Sequence, residues 1–179
     1  MNCPDEDLRT LIEAMNEGAE APLAIADALL VRYPDDARLH FLRGSMLAGS
    51  GRLIEAHDSL ARAVALAPDY AIARFQLGFF QLTSGEADAA LETWGRLDRL
   101  PHDNYLRIFA DGLRALIRDE FSAAIQKLQS GLARNTENPP LNRDMQLIVD
   151  KISALQQGDD APISETSLIL GQFSRRDRT

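Results

Sequence analysis

The sequence is short of the residues that most chemistry requires. It holds one cysteine, Cys3, so no disulfide can form within the chain, and a reducing compartment is the simplest setting. Its three histidines, His40, His57 and His102, show no metal-ligand spacing among themselves or with acids. We therefore expect no metal and no cofactor, with His40 packed in a helix and the other two facing solvent. No apolar run approaches the roughly 20 residues that cross a bilayer. The acidic opening, residues 1–7, leads no signal-peptide core, so a cytoplasmic protein is expected. Basic residues are outnumbered, with 19 Lys and Arg against 27 Asp and Glu for a net charge of −8. That balance argues against nucleic-acid binding, which needs a basic face, and favours basic partners.

Catalytic signatures are missing as well. Gly44, Gly49 and Gly51 are not followed by the lysine of a phosphate loop, and no strand precedes them. Ser50 and Ser59 lack the strand-to-helix elbow of a hydrolase nucleophile. Cys3 is expected on a frayed end, away from any environment that would activate its thiol. Asp5-Glu6-Asp7 and Asp159-Asp160 read as helix-start and solvated charge. No catalytic residue is assigned, and no enzyme activity is expected.

Self-similarity is what the sequence has in abundance, at a period of roughly 34 residues. Phe41, Phe75 and Phe109 fall in one register, as do Gly44, Gly78 and Gly112, and Ala56, Ala90 and Ala124. Bulky apolar residues align at Leu60, Trp94 and Leu128. Glycine inside a helix costs about 1 kcal/mol relative to alanine, a cost tolerable where a second helix must come close. Breaker-rich turns separate the helices at Ala48-Gly49-Ser50-Gly51 and Thr83-Ser84-Gly85. Tyr33-Pro34-Asp35-Asp36 and Ala67-Pro68-Asp69-Tyr70 close successive segments.

From Ala37 to about Asn138 these residues resemble the tetratricopeptide repeat family, with its bulky–glycine, alanine and terminal proline signature. Departures are visible. His40, Arg74 and Ile108 stand where the family often has tryptophan, His102 and Thr136 replace the terminal proline, and Asp119 replaces the turn glycine. The resemblance implies an all-α fold, a right-handed superhelix of helix-turn-helix repeats closed by a C-terminal capping helix. Residues 1–36 then form a degenerate first pair, with Leu8, Leu11, Ile12 and Met15 at helical spacing before Gly18. Residues 37–138 form three repeats. Residues 139–158 form the cap, with an apolar stripe of Leu141, Met145, Ile148, Val149, Ile152 and Leu155. Residues 159–179 form a tail without helical period.

In that family the first helix of each pair lines a concave groove. The matching face carries Phe41 and Ser45 in the first repeat, Phe75, Phe79 and Leu82 in the second, and Phe109, Leu113 and Leu116 in the third. The segments around the last two are apolar nearly all round, the mark of a helix buried on both sides. The basic and Asn side chains with which chaperone-binding members hold a carboxylate are absent from these places. The groove is expected to take an apolar helix or extended peptide. Alternatively, the repeats curl tightly and the phenylalanines pack on one another.

The occupant is a partner's segment or the chain's own tail, where Ile163, Leu168, Leu170 and Phe173 offer matching side chains. A short tether raises the tail's local concentration to about the millimolar range. It docks in cis, docks in trans as a homodimer contact, or docks nowhere. The function expected is that of an interaction scaffold. Another reading is a bacterial chaperone, because the small size, acidity and apolar groove look similar to the tetratricopeptide chaperones of type III secretion.

Overall fold

Three helices of this chain, the first of each clear pair, stop where the backbone turns left-handed, at Gly51, Gly85 and Asp119. The computed structural model describes residues 2–16 and 22–157. Among these residues every regular element is helical: α1 (Asp5–Asn16), α2 (Pro22–Arg32), α3 (Ala37–Gly49), α4 (Leu53–Leu66) and α5 (Ala71–Thr83). There follow α6 (Ala87–Trp94), a 3-10 turn (Gly95–Arg99), α7 (Tyr105–Ile117), α8 (Phe121–Arg134) and α9 (Pro139–Gln157). Three acids open α1, where they favour the helix dipole. Side chains of Asp36, Asn104 and Asn138 accept backbone N–H groups at the starts of α3, α7 and α9.

The turns repeat one backbone closure. Gly51, Gly85 and Asp119 stand at 34-residue spacing and all have positive φ, at 74°, 88° and 57°. In each turn the next N–H reaches back five residues: Arg52 to the Leu47 carbonyl, Glu86 to Gln81 and Glu120 to Ala115, at 3.0, 2.8 and 2.9 Å. This 6→1 closure is how a helix ends on a left-handed residue. Asp119 adopts the conformation glycine takes in the other two, so the third hairpin keeps the same turn. The links between pairs repeat too, with Asp36, Tyr70 and Asn104 donating N–H to the carbonyls of Tyr33, Ala67 and Pro101.

The chain divides into two compact units, Met1–Leu77 and Gly78–Thr179. In the first, α3 and α4 close on each other at Gly44, where a methyl group would come within 2.8 Å of the Leu60 Cγ. Beside them Leu8 and Leu11 of α1, Ala26 and Leu29 of α2, Tyr33 and Leu39 form one apolar cluster that also takes in Cys3. In the second unit, Gly78 faces the Trp94 indole and Gly112 faces Leu128. The aligned alanines Ala56, Ala90 and Ala124 are all fully buried. On α9, Leu141, Met145, Ile148, Val149 and Ile152 are buried while Arg143, Gln146 and Asp150 face solvent, the two faces of an amphipathic surface helix.

One local feature has no precursor in the sequence pattern. After Trp94 the second helix of its pair tightens into the 3-10 turn, which starts at Gly95. Arginines of α7 take the carbonyls at this end: Arg114 donates to Trp94 O at 3.0 Å, and Arg107 to Asp98 O and Leu100 O at 2.9 and 2.7 Å. Carbonyls that a helix end leaves without partners are thereby satisfied.

The tight contacts rank the glycines. A methyl group at Gly78 would lie 2.7 Å from Cδ1 and Cε2 of Trp94, a rigid ring, whereas one at Gly49 would meet nothing within 4 Å. Gly78→Ala should therefore destabilise by about 2 kcal/mol through overpacking, despite alanine's better helix propensity. Gly49→Ala should gain up to about 1 kcal/mol, and Gly44→Ala, facing a leucine that can yield, should fall between them. Urea unfolding followed by circular dichroism gives the order; a neutral Gly78→Ala would remove the close approach from the account.

Candidate functional site

Each face residue has a definite place within its unit. In the first unit Phe41 is half-buried on α3, and its ring meets Tyr70 edge-on, with centroids 5.5 Å apart and planes at 67°. Ser45, one turn on, is half-buried and donates its hydroxyl to the Phe41 carbonyl at 3.0 Å, so that hydroxyl is spent within its own helix. Phe75, on α5, is fully buried.

In the second unit Phe79, Leu82, Phe109, Leu113 and Leu116 are all buried. Phe109 has visible cover. A methyl group at Gly131 of α8 would lie 2.5 Å from two atoms of the Phe109 ring, so the ring packs against its own hairpin partner. Tyr105 meets it edge-on, at 6.0 Å and 77°. Of the eight residues, Phe41 and Ser45 alone are partly accessible. The four tail residues Ile163, Leu168, Leu170 and Phe173 lie outside the described residues.

Sequence reasoning overlooked Tyr70, Tyr105 and Gly131. Gly131 had a signal: it shares its repeat register with Leu29, Ala63 and Leu97, a column that shrinks to glycine where Phe109 packs. Tyr105 had none, because its register otherwise holds Cys3, Ala37 and Ala71.

Cys3 corrects an expectation. It is buried, with 3% of its surface exposed, and not frayed. The reason is polar as well as apolar: its backbone N–H donates to Asp36 Oδ2 at 2.7 Å, and Arg38 Nη2 donates to its carbonyl at 2.7 Å. Burial, then the charges of Asp7 and Asp36, push the thiol's pKa up, which keeps it protonated and unreactive. His40 rests its Nε2 against the Pro34 carbonyl at 2.8 Å, and Arg74, in the same repeat register, donates to the Pro68 carbonyl at 3.0 and 2.8 Å. Both side chains thus close the turn behind them. His57 is half-buried and His102 is exposed. Among the described residues, no three His, Cys, Asp or Glu side chains gather as a metal site. A shallow depression of about 300 Å³ runs along Pro140, Arg143, Asp144 and Leu147, one face of α9.

The strongest electrostatic feature is Asp36, whose carboxylate is 2% exposed. Burial pushes its pKa up, but hydrogen bonds from the Arg38 guanidinium and from the N–H groups of Cys3 and Arg38 outweigh that and hold it below the usual carboxylate range. Arg38 shares its charge with Asp5 at 2.8 Å, and the Tyr70 phenol, raised mainly by burial, also feels both charges. A carboxyl depressed in the folded state stabilises fully above its unfolded pKa of about 3.9, and that stability is lost as pH falls through the folded value. Asp36→Asn should cost about 2 kcal/mol at neutral pH. The gap to the parent chain should shrink as pH is lowered from about 5 toward about 2. Urea unfolding at several pH values measures it; a gap constant across that range would contradict the assignment.

Among the described residues no helix is long and apolar enough to cross a membrane. Compared with models of known protein families and with curated proteins, the sequence matches none.

Proposed function

We propose that the chain is a tetratricopeptide-type adaptor that binds an apolar helix or extended segment of another polypeptide, without catalytic chemistry of its own. One observation carries the reading: three hairpin turns at 34-residue spacing share one hydrogen-bond pattern and one left-handed residue. Repeated hairpins of this kind are the building blocks of scaffolds that bind extended segments.

The docking face we assign is that of Phe41, Ser45, Phe75, Phe79, Leu82, Phe109, Leu113 and Leu116. Within the first unit Phe41 and Ser45 are its partly accessible members, and Tyr70 meets the Phe41 ring edge-on. The buried members support the face from beneath, Phe109 on Gly131 of its own hairpin, and a ligand meets Phe41 and Ser45 first. The chain's own tail, through Ile163, Leu168, Leu170 and Phe173, is the resident occupant in this reading, and a partner's segment replaces it.

Fluorescence of an apolar dye on the full chain and on a chain ending at Gly158 tests this. A strong rise on shortening is the expected result and means that the tail covers the face. Equal, strong signals mean an open face and leave the adaptor reading without its tail. Equal, weak signals mean that the phenylalanines are core, and would overturn the docking face. For binding itself Phe41→Ala is the variant of choice, because removing the ring of Phe75 or Phe109 would cost roughly 3–5 kcal/mol of stability.

A further inference from the structure

The residues before α1 are held in an unusual way. Cys3 is sealed from solvent while Asn2 and Pro4, on either side, are exposed. The main chain of Cys3 is gripped at both ends, its N–H by Asp36 Oδ2 and its carbonyl by Arg38 Nη2, each at 2.7 Å. Those two groups are bonded to each other, with Arg38 Nη2 2.7 Å from Asp36 Oδ2. The grip is a closed ring of charge-assisted hydrogen bonds, and Arg38 Nη1 extends it to Asp5 at 2.8 Å.

Beyond that ring the segment buries one small side chain. The Cys3 sulfur lies in the cluster of Leu8, Leu11, Ala26, Leu29, Tyr33 and Leu39, and its polar contact is with the carbonyl of its own neighbour Pro4, at 3.6 Å. The hairpin of α3 and α4 does not depend on the segment. It closes at Gly44 against Leu60, and α3 has a cap of its own, the Arg38 N–H donating to Asp36 Oδ1 at 2.9 Å, a different oxygen from the one that takes the Cys3 N–H. The segment's one further main-chain bond among the described residues is from the Leu8 N–H to the Pro4 carbonyl at 3.2 Å, at the fraying start of α1. A segment with so few fastenings and little buried area belongs at the low end of local stabilities.

We propose that residues Asn2–Pro4 form a strap, closed by the Asp36–Arg38 pair, that opens on its own while the hairpins stay folded. Opening uncovers the apolar cluster beneath Cys3 and returns the thiol to water. The device is conformational: the first helix pair exposes apolar surface when the ring breaks and hides it when the ring forms. The thiol, being the chain's one cysteine, reports the state of the strap.

The test is the labelling rate of Cys3 by an aromatic disulfide reagent on the full chain, across urea concentrations below the unfolding transition. Labelling should be about 100-fold or more slower than in the urea-unfolded chain, because the thiol is sealed. Its rate should vary with urea far less steeply than the global unfolding constant from circular dichroism, because strap opening exposes little surface. A rate that follows global unfolding with the same urea slope would overturn the proposal, as would labelling as fast as in the unfolded chain. Asp36→Asn should speed labelling about tenfold or more, the loss of one charge-assisted bond. An unchanged rate in a folded variant would show that the carboxylate does not hold the strap. The parent chain's urea slope decides the matter alone if the variant does not fold.

Discussion

Everything regular in this chain depends on how closely paired helices approach at Gly44, Gly78 and Gly112. A glycine in mid-helix is unfavourable by about 1 kcal/mol, and three of them at one register are tolerated because each leaves space for Leu60, Trp94 or Leu128. Those three large side chains are fully buried. The contact fixes where along its partner each second helix lies, and the left-handed turn at Gly51, Gly85 or Asp119 follows from that register. Burial of Ala56, Ala90 and Ala124 follows as well, since a larger side chain on the facing helix would push the pair apart.

Polar groups in the two units mainly finish helix ends. Asp36, Asn104 and Asn138 cap helix starts, while Arg107 and Arg114 take carbonyls at the end that tightens after Trp94. His40 and Arg74 reach back to the carbonyls of Pro34 and Pro68. No side-chain nitrogen or oxygen that is buried among the described residues lacks a partner. Asp36 does two jobs, capping α3 and holding Cys3, which ties the start of the chain to the start of the first clear hairpin. Such a carboxylate, almost wholly buried, stays ionised because hydrogen bonds to its charged form outweigh its loss of water.

The glycines, alanines and bulky partners were legible in the sequence because backbone proximity admits few residue types at fixed intervals. The helix pairs around them follow that pattern, and α1 and α9 follow apolar spacing. The start of the chain was not legible. Nothing in Met-Asn-Cys-Pro announces that Asp36 and Arg38, more than thirty residues on, will hold it, since a long-range polar grip has no period. The break after Trp94 was hidden for the same reason, because it depends on arginines from the next helix. At the candidate face, periodicity picked residues that share a helix side, but it could not say which would remain accessible. Phe41 and Phe109 occupy one register, yet Phe109 sinks onto Gly131 while Phe41 stays half-exposed beside Tyr70.

The claim that three hairpins share one turn is tested most directly by amide hydrogen exchange, read residue by residue by NMR. Glu86 and Glu120 lie in surface turns, yet their N–H groups are committed to Gln81 and Ala115. Asp88 and Ser122, two residues further on, sit in the first turn of α6 and α8, where a helix offers no carbonyl four residues back. Slow exchange is expected at Arg52, Glu86 and Glu120 alike, and fast exchange at Asp88 and Ser122. Uniformly fast exchange through the three turns, or protection in one and not the others, would contradict it.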